Sequence, residues 1–134
     1  MERPRVLLAD DNVVLAAEIR GLLDPVFDVV GVVASGEALE AAFEALTPQV
    51  IVTDIAMPGE GGLVAARNIR SRHPGTAVVL LSVIDAPTMI QLGLSSGILG
   101  YVVKEDAGEE LIQAIEAVLQ GREYLSEGAR RSIG

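Results

Sequence analysis

Residues 48–59 read PQVIVTDIAMPG. Val50, Ile51 and Val52 form a β-branched apolar run, which suits a strand. Thr53 and Asp54 follow, and Met57-Pro58-Gly59 stops the run with turn chemistry. Packing alone gives no reason to end a buried strand on an acid, so Asp54 calls for a chemical explanation.

Four further runs of the same kind lie around this one. They are Val6-Leu7-Leu8-Ala9, Val29-Val30-Gly31-Val32-Val33, Val78-Val79-Leu80-Leu81 and Tyr101-Val102-Val103. All are continuous rather than alternating, as expected of strands covered on both faces. Helical spacing of apolar residues fills the intervals: 13–23, 36–46, 61–72 and 107–120, with a shorter helix over about 87–96. Ser35-Gly36-Glu37 and Asp106-Ala107-Gly108-Glu109 read as helix starts and Gly121 as a stop. A strand followed by a helix, five times over, predicts an α/β fold: a five-stranded parallel sheet with helices on both faces. Residues 122–134 are expected to be a C-terminal tail or the start of a linker. Of the two, the expectation is a linker to a following segment cut from this chain, rather than a stand-alone protein.

The 134 residues are enough for one domain with a real core. Half are hydrophobic but only 3% aromatic, so that core is aliphatic. The chain has no cysteine, which excludes disulfides and thiolate metal sites. Its apolar runs are strand-length, short of the ~20 residues a membrane helix needs, and no signal segment opens it; a soluble cytoplasmic protein is expected. The net charge of −9 repels nucleic acid. Arg67-Arg70-Arg72 and Arg130-Arg131 are small clusters, better read as solvated surface than as a phosphate-backbone site.

In a parallel sheet the residues just beyond each strand gather at one edge, where ligands bind. That edge would collect Asp10 and Asp11 after the first strand, Asp54 at the end of the third, Ser82 at the end of the fourth and Lys104 after the fifth. Three close carboxylates repel one another, and a hard, oxygen-preferring cation such as Mg²⁺ relieves the repulsion. A cation, an ammonium and a hydroxyl together suit the oxygens of a phosphoryl group, and one carboxylate can then act as nucleophile. Asp54, between the acidic pair and the Ser82/Lys104 side, is the candidate. Each residue also has an ordinary reading: Asp10-Asp11-Asn12 as a helix cap, Asp54 as turn chemistry, Ser82 bonded to backbone, Lys104 in solvent. Jointly, those readings require four strand ends to carry matching chemistry by accident.

With LLADDN, VTDIAMPGEGG, LLS and GYVVKE in order and at the family's spacing, the chain resembles the receiver domains of two-component response regulators over residues 5–121. The resemblance implies the CheY-like (flavodoxin-like) strand order 2-1-3-4-5. It implies phosphorylation at Asp54 by a phosphohistidine on a sensor histidine kinase. It implies Mg²⁺ held by Asp11 directly, by Asp10 largely through water, by Asp54 and by the backbone carbonyl of Ala56. Lys104 would hold a phosphoryl oxygen, Ser82 would be the switch hydroxyl, and Tyr101 the aromatic that turns inward behind it. Glu105 after Lys104, and the segment GYVVKEDAGEELIQAIEAVLQGREYLS, are similar to the NarL/LuxR-type subfamily. Its members usually continue into a DNA-binding output domain that this chain lacks, so DNA would be reached only through such a domain.

Met89, Ile90, Leu92, Leu94, Ile98 and Leu99 leave the fourth helix and its exit apolar nearly all round. Either this surface meets a partner or a second copy, with a homodimer on phosphorylation as one possibility, or it deepens the local core. Gly93 suits an element that rearranges, or one that packs closely. Val83, Ile84 and Ala56 are expected to exclude water from an acyl phosphate and slow its loss. Phosphorylation would add nearly two negative charges and shift the population toward an active arrangement. The change would be read on the fourth helix, fifth strand and fifth helix, or on the first and fifth helices in a dimer. The domain would catalyse only its own phosphorylation and dephosphorylation. Two alternatives are an Mg²⁺-dependent aspartyl-phosphate phosphohydrolase, disfavoured by Asn12 where a second acid would stand, and a flavodoxin-like cofactor binder, disfavoured by acids where phosphate would sit.

Overall fold

The computed structural model describes residues 2–83 and 87–133. Strands and helices alternate: β1 (Arg5–Ala9), α1 (Val13–Leu23), β2 (Asp28–Val33), α2 (Gly36–Leu46), β3 (Val50–Asp54), α3 (Gly62–Arg72), β4 (Ala77–Ser82), α4 (Pro87–Ser95) and β5 (Gly100–Val103). A single 3-10 turn at Lys104–Asp106 leads into α5 (Ala107–Leu119), and β6 (Tyr124–Leu125) and α6 (Glu127–Ile133) follow. The sheet order is β2-β1-β3-β4-β5-β6, and every pair is parallel.

The continuous apolar runs have a direct cause. Side chains alternate across a sheet, and here both faces are covered. Leu7, Ile51, Leu80 and Tyr101 join a core with α2, α3, α4 and α6. Val6, Leu8, Val50, Val52, Leu81 and Val102 join a second core with α1 and α5. Ser35 caps α2, its hydroxyl accepting the Ala38 N–H at 3.1 Å. Gly121 stops α5 with φ 76°, and the Arg122 N–H returns to the Ala117 carbonyl at 2.9 Å.

The strand count needs correction, and the C-terminal residues take part in the sheet. The sheet has six strands rather than five, because Tyr124 and Leu125 pair with Gly100 and Tyr101 of β5. Residues expected to form a polar tail instead pack on the body of the domain. The Ser126 N–H donates to the Tyr101 carbonyl at 3.0 Å, and the Ser126 hydroxyl accepts the Val103 N–H at 3.0 Å. Asp106 stands at the start of α5 as expected, but its carboxylate accepts the Gly128 N–H of α6 at 2.9 Å. With so many backbone groups satisfied locally, a largely polar seven-residue helix is held in place.

α6 also bears on the apolar α4. Ile90 and Ile98 are buried, and Met89 and Leu94 pack on the core that contains Leu125 and Ala129. Much of the surplus apolar surface of α4 therefore deepens the local core, against the chain's own C-terminal elements. Gly93 is a close-packing glycine: a Cβ there would lie 3.1 Å from Leu80 Cδ1. The arginines are largely engaged within the fold, Arg70 on the Thr76 carbonyl, Arg72 on Glu40 and Arg130 on the Leu125 carbonyl. Among the described residues no helix is long and apolar enough to cross a membrane.

Candidate functional site at the carboxyl edge of the sheet

Because all strands run the same way, β1, β3, β4 and β5 end at one edge, and the residues expected there meet. Carboxylate oxygens of Asp10, Asp11 and Asp54 lie within 4.8 Å of one another. Lys104 Nζ sits between two of these acids, 3.1 Å from Asp10 Oδ2 and 3.1 Å from Asp54 Oδ2. Asp10 and Asp54 are buried, while Asp11 is exposed and opens the cluster to solvent. Register places Ser82 one residue beyond the Asp54–Leu81 pair and directly opposite Val103, the residue before Lys104. The Ala56 N–H donates to Asp54 Oδ1 at 3.3 Å. Tyr101 lies below the edge, paired with Leu80 on β4, and is 2% exposed. Val83 is 75% exposed beside the site, and Ile84 lies outside the described residues.

Burial pushes the Asp54 carboxyl up. The hydrogen bond and charge of Lys104 pull it back, and the Asp10 charge adds to the rise, which prevails. Lys104 is held above its ordinary value: burial works against its charge, but hydrogen bonds and charge from Asp54 and Asp10 outweigh that. The cluster is thus short of positive charge. Asp10 Oδ1 accepts the Asn12 N–H at 2.9 Å, whereas Asp10 Oδ2 is buried and, among the described residues, meets the Lys104 ammonium at 3.1 Å and no other donor. A buried carboxylate oxygen left in this state suits a cation or a cation-bound water. The donor set is all oxygen and carries three negative charges, so it fits Mg²⁺.

Asn12 has a different task. Its side chain accepts the Leu15 N–H at 3.1 Å and caps α1. Gly62 is a site residue that sequence reasoning passed over. A Cβ there would overlap the Asp54 carbonyl oxygen, so only glycine lets α3 begin directly behind the strand end that carries Asp54. The GEGG run in the sequence was the available signal.

Residues 6–116 match the response regulator receiver domain family. Among curated proteins, response regulator GacA of Pseudomonas protegens is 35% identical over 124 residues, 91% of this chain and 58% of that protein. Transcriptional regulatory protein DegU of Brevibacillus brevis is 32% identical over 123 residues, 90% of this chain and 52% of that protein. The chain therefore spans a little over half the length of these relatives. Among solved structures, a two-component response regulator of the LuxR family from Aurantimonas superposes with a TM-score of 0.92 at 29% identity, covering 98% of this chain and 96% of that one. The isolated REC domain of RcsB from Salmonella enterica serovar Typhimurium, in the presence of the phosphomimetic BeF3-, superposes at 0.89 with 26% identity, covering 99% of this chain and all of that one. Six parallel strands, an acid cluster with its lysine at their carboxyl edge, and a match running nearly the whole length converge: the chain belongs to the receiver domains of two-component response regulators.

Proposed function

We propose that Asp54 is the phosphoryl acceptor of a signalling domain served by a sensor histidine kinase. The observation that carries this is the bridging of Asp54 and Asp10 by Lys104 beside the exposed Asp11. An Asp54 carboxylate oxygen attacks the phosphorus of a phosphohistidine. The new P–O bond forms as the P–N bond breaks, and the imidazole nitrogen leaves with the electron pair and takes up a proton. Asp10, Asp11, Asp54 and the Ala56 carbonyl would hold Mg²⁺, which when bound supplies positive charge to the carboxylates and the phosphoryl oxygens. Lys104 stays protonated at this edge and can transfer its contact from Asp54 to a phosphoryl oxygen. Ser82, at the neighbouring strand end, offers a hydroxyl to another.

The added charge favours the arrangement in which Ser82 and Lys104 close on it. Tyr101 packs under that edge, and its carbonyl holds Ser126. The change at Lys104 therefore has a direct path through β5 into β6 and α6. Residues 1–121 form the body of the phosphoacceptor domain, and 122–134, docked on it through β6 and α6, lead toward an output domain. The greater length of the relatives, one of them named a transcriptional regulatory protein, supports DNA as the eventual target of that output domain. A homodimer on phosphorylation remains part of this reading, with α1 and α5 as its surface. Val83 and Ala56, exposed at the mouth of the site, would slow water's approach to the acyl phosphate.

The test is incubation with Mg²⁺ and acetyl phosphate, followed by mass spectrometry of the peptides. A phosphoryl adduct on Asp54 is expected. An unmodified chain, or an Asp54→Asn variant labelled at the wild-type rate elsewhere, would overturn the assignment.

A further inference from the structure

A second group of acids lies away from the site, where the loop after β3 meets α2. We propose that Glu60 and Glu40 share a single proton, and that this proton latches the loop following Asp54 onto α2.

The hydrogen bonds leave one place for it. Asn68 of α3 donates both amide hydrogens, to Glu40 Oε2 at 3.1 Å and to Glu60 Oε1 at 3.0 Å. Arg72 donates to Glu40 Oε1 at 3.1 Å. Both oxygens of Glu40 and one of Glu60 are thereby served. Glu60 Oε2 is buried and accepts nothing. As a carboxylate oxygen it would face a second carboxylate with no donor, a costly arrangement. As a protonated oxygen it becomes the donor and Glu40 the acceptor, and the orphan disappears.

The surrounding charges decide which acid keeps the proton. Burial pushes the Glu40 carboxyl up, but hydrogen bonds from Glu60, Asn68 and Arg72, with the Arg72 charge, hold it low. Among the described residues Glu60 has no cation paired with it. The hydrogen bond with Glu40, then burial, then the charges of Glu40 and Glu37 push it up to about 7, with Asn68 opposing. Glu37 of α2 also accepts the Glu60 backbone N–H at 2.8 Å. The loop thus has two holds on α2, one independent of the proton and one dependent on it. One turn further on, Glu44 pairs with Arg72 at 3.4 Å and with His73 at 3.0 Å. These groups complete the charged surroundings on α2 and α3.

The loop so held continues straight from Asp54. The Gly62 N–H donates to the Ile55 carbonyl at 2.9 Å, and Gly62 abuts the Asp54 carbonyl. Loss of the proton loosens the hold of α2 on this loop as pH rises through neutrality. Glu60 binds its proton more tightly folded than unfolded, so its stabilising contribution is complete below the ordinary glutamate range. That contribution is lost as pH rises toward and through about 7.

A carbon-detected NMR titration of the glutamate carboxyls, on the intact chain, tests the latch. One carboxyl is expected to titrate near pH 7, and the amides of residues 59–62 to shift with the same midpoint. That titration should vanish in Glu60→Gln, whose amide donates permanently to Glu40. Glu40→Gln should return Glu60 to the ordinary range, and carries the test if Glu60→Gln does not fold. The proposal is overturned if every glutamate carboxyl titrates in the ordinary range, or if the near-neutral midpoint persists in Glu60→Gln. Proton uptake is the readout, so the result stands whether or not Asp54 accepts a phosphoryl group.

Discussion

The two acid clusters of this domain solve one electrostatic problem in different ways. Asp10, Asp11 and Asp54 meet at the tips of two adjacent strands, with an ammonium between two of them and the third acid facing water. Glu37, Glu40 and Glu60 meet between a helix and a loop, with a neutral amide between two of them and a guanidinium on one. The first arrangement leaves room for further positive charge from outside, in the form of a divalent ion. The second is bridged by Asn68, and a proton on Glu60 Oε2 would complete it. Repulsion among carboxylates is thus answered by an ammonium in one cluster and by a bridging amide in the other.

The sharpest way to break this contrast is Asp54→Asn, which should abolish phosphoryl uptake from acetyl phosphate, measured by intact-mass spectrometry, while the near-neutral glutamate titration continues. Mg²⁺ should separate the clusters next. A ligand that binds the folded state at roughly a hundred times its Kd adds about 2.7 kcal/mol of stability. Wild type should show the corresponding rise in Tm, Asp11→Asn much less, and Glu60→Gln the full rise. Gly62→Ala should disturb both clusters, since its methyl group would displace α3 from the Asp54 carbonyl; overpacking of this kind costs about 1–3 kcal/mol, read by chemical denaturation. A smaller effect is expected in the pH dependence of Tm. Between pH 5 and 8 the wild type should lose stability relative to Glu60→Gln as pH rises, because the folded state gives up a proton that it alone holds tightly. Arg72→Met should change stability least. Its pairs with Glu40 and Glu44 are solvent-screened, and the variant should also push the shared proton toward Glu40.

The sequence and the structure agree where physics is periodic. Val50-Ile51-Val52 and its four counterparts are legible as strands because two-sided burial leaves no polar positions, and the parallel arrangement then carries Asp10, Asp54, Ser82 and Lys104 to one edge without further information. β6 and α6 escaped because a two-residue strand has no period, and because Glu127–Ile133 buries only Gly128 and Ala129. What fixes that helix is a set of hydrogen bonds to β5 and Asp106, visible only once the chain is folded. The Glu40–Glu60 pair escaped for a related reason. Twenty positions and a strand separate the two acids, and neither sits in a motif. Asp106 shows the limit from the other side: its place at the start of α5 was readable, but its partner on α6 was not.

The pairing of Tyr124 and Leu125 with β5 moves the border of the sheet. Without it, the outermost strand would be Gly100–Val103, buried and uncharged, with a free row of amides and carbonyls of the kind that recruits a foreign strand. With it, the last rung is two residues long and Ser126 turns the chain away, leaving too short a template for a neighbouring molecule to extend. Trimming this protein back to residue 121 would therefore trade a self-terminating sheet for a sticky one, and the first symptom would be poor solubility rather than a loss of chemistry.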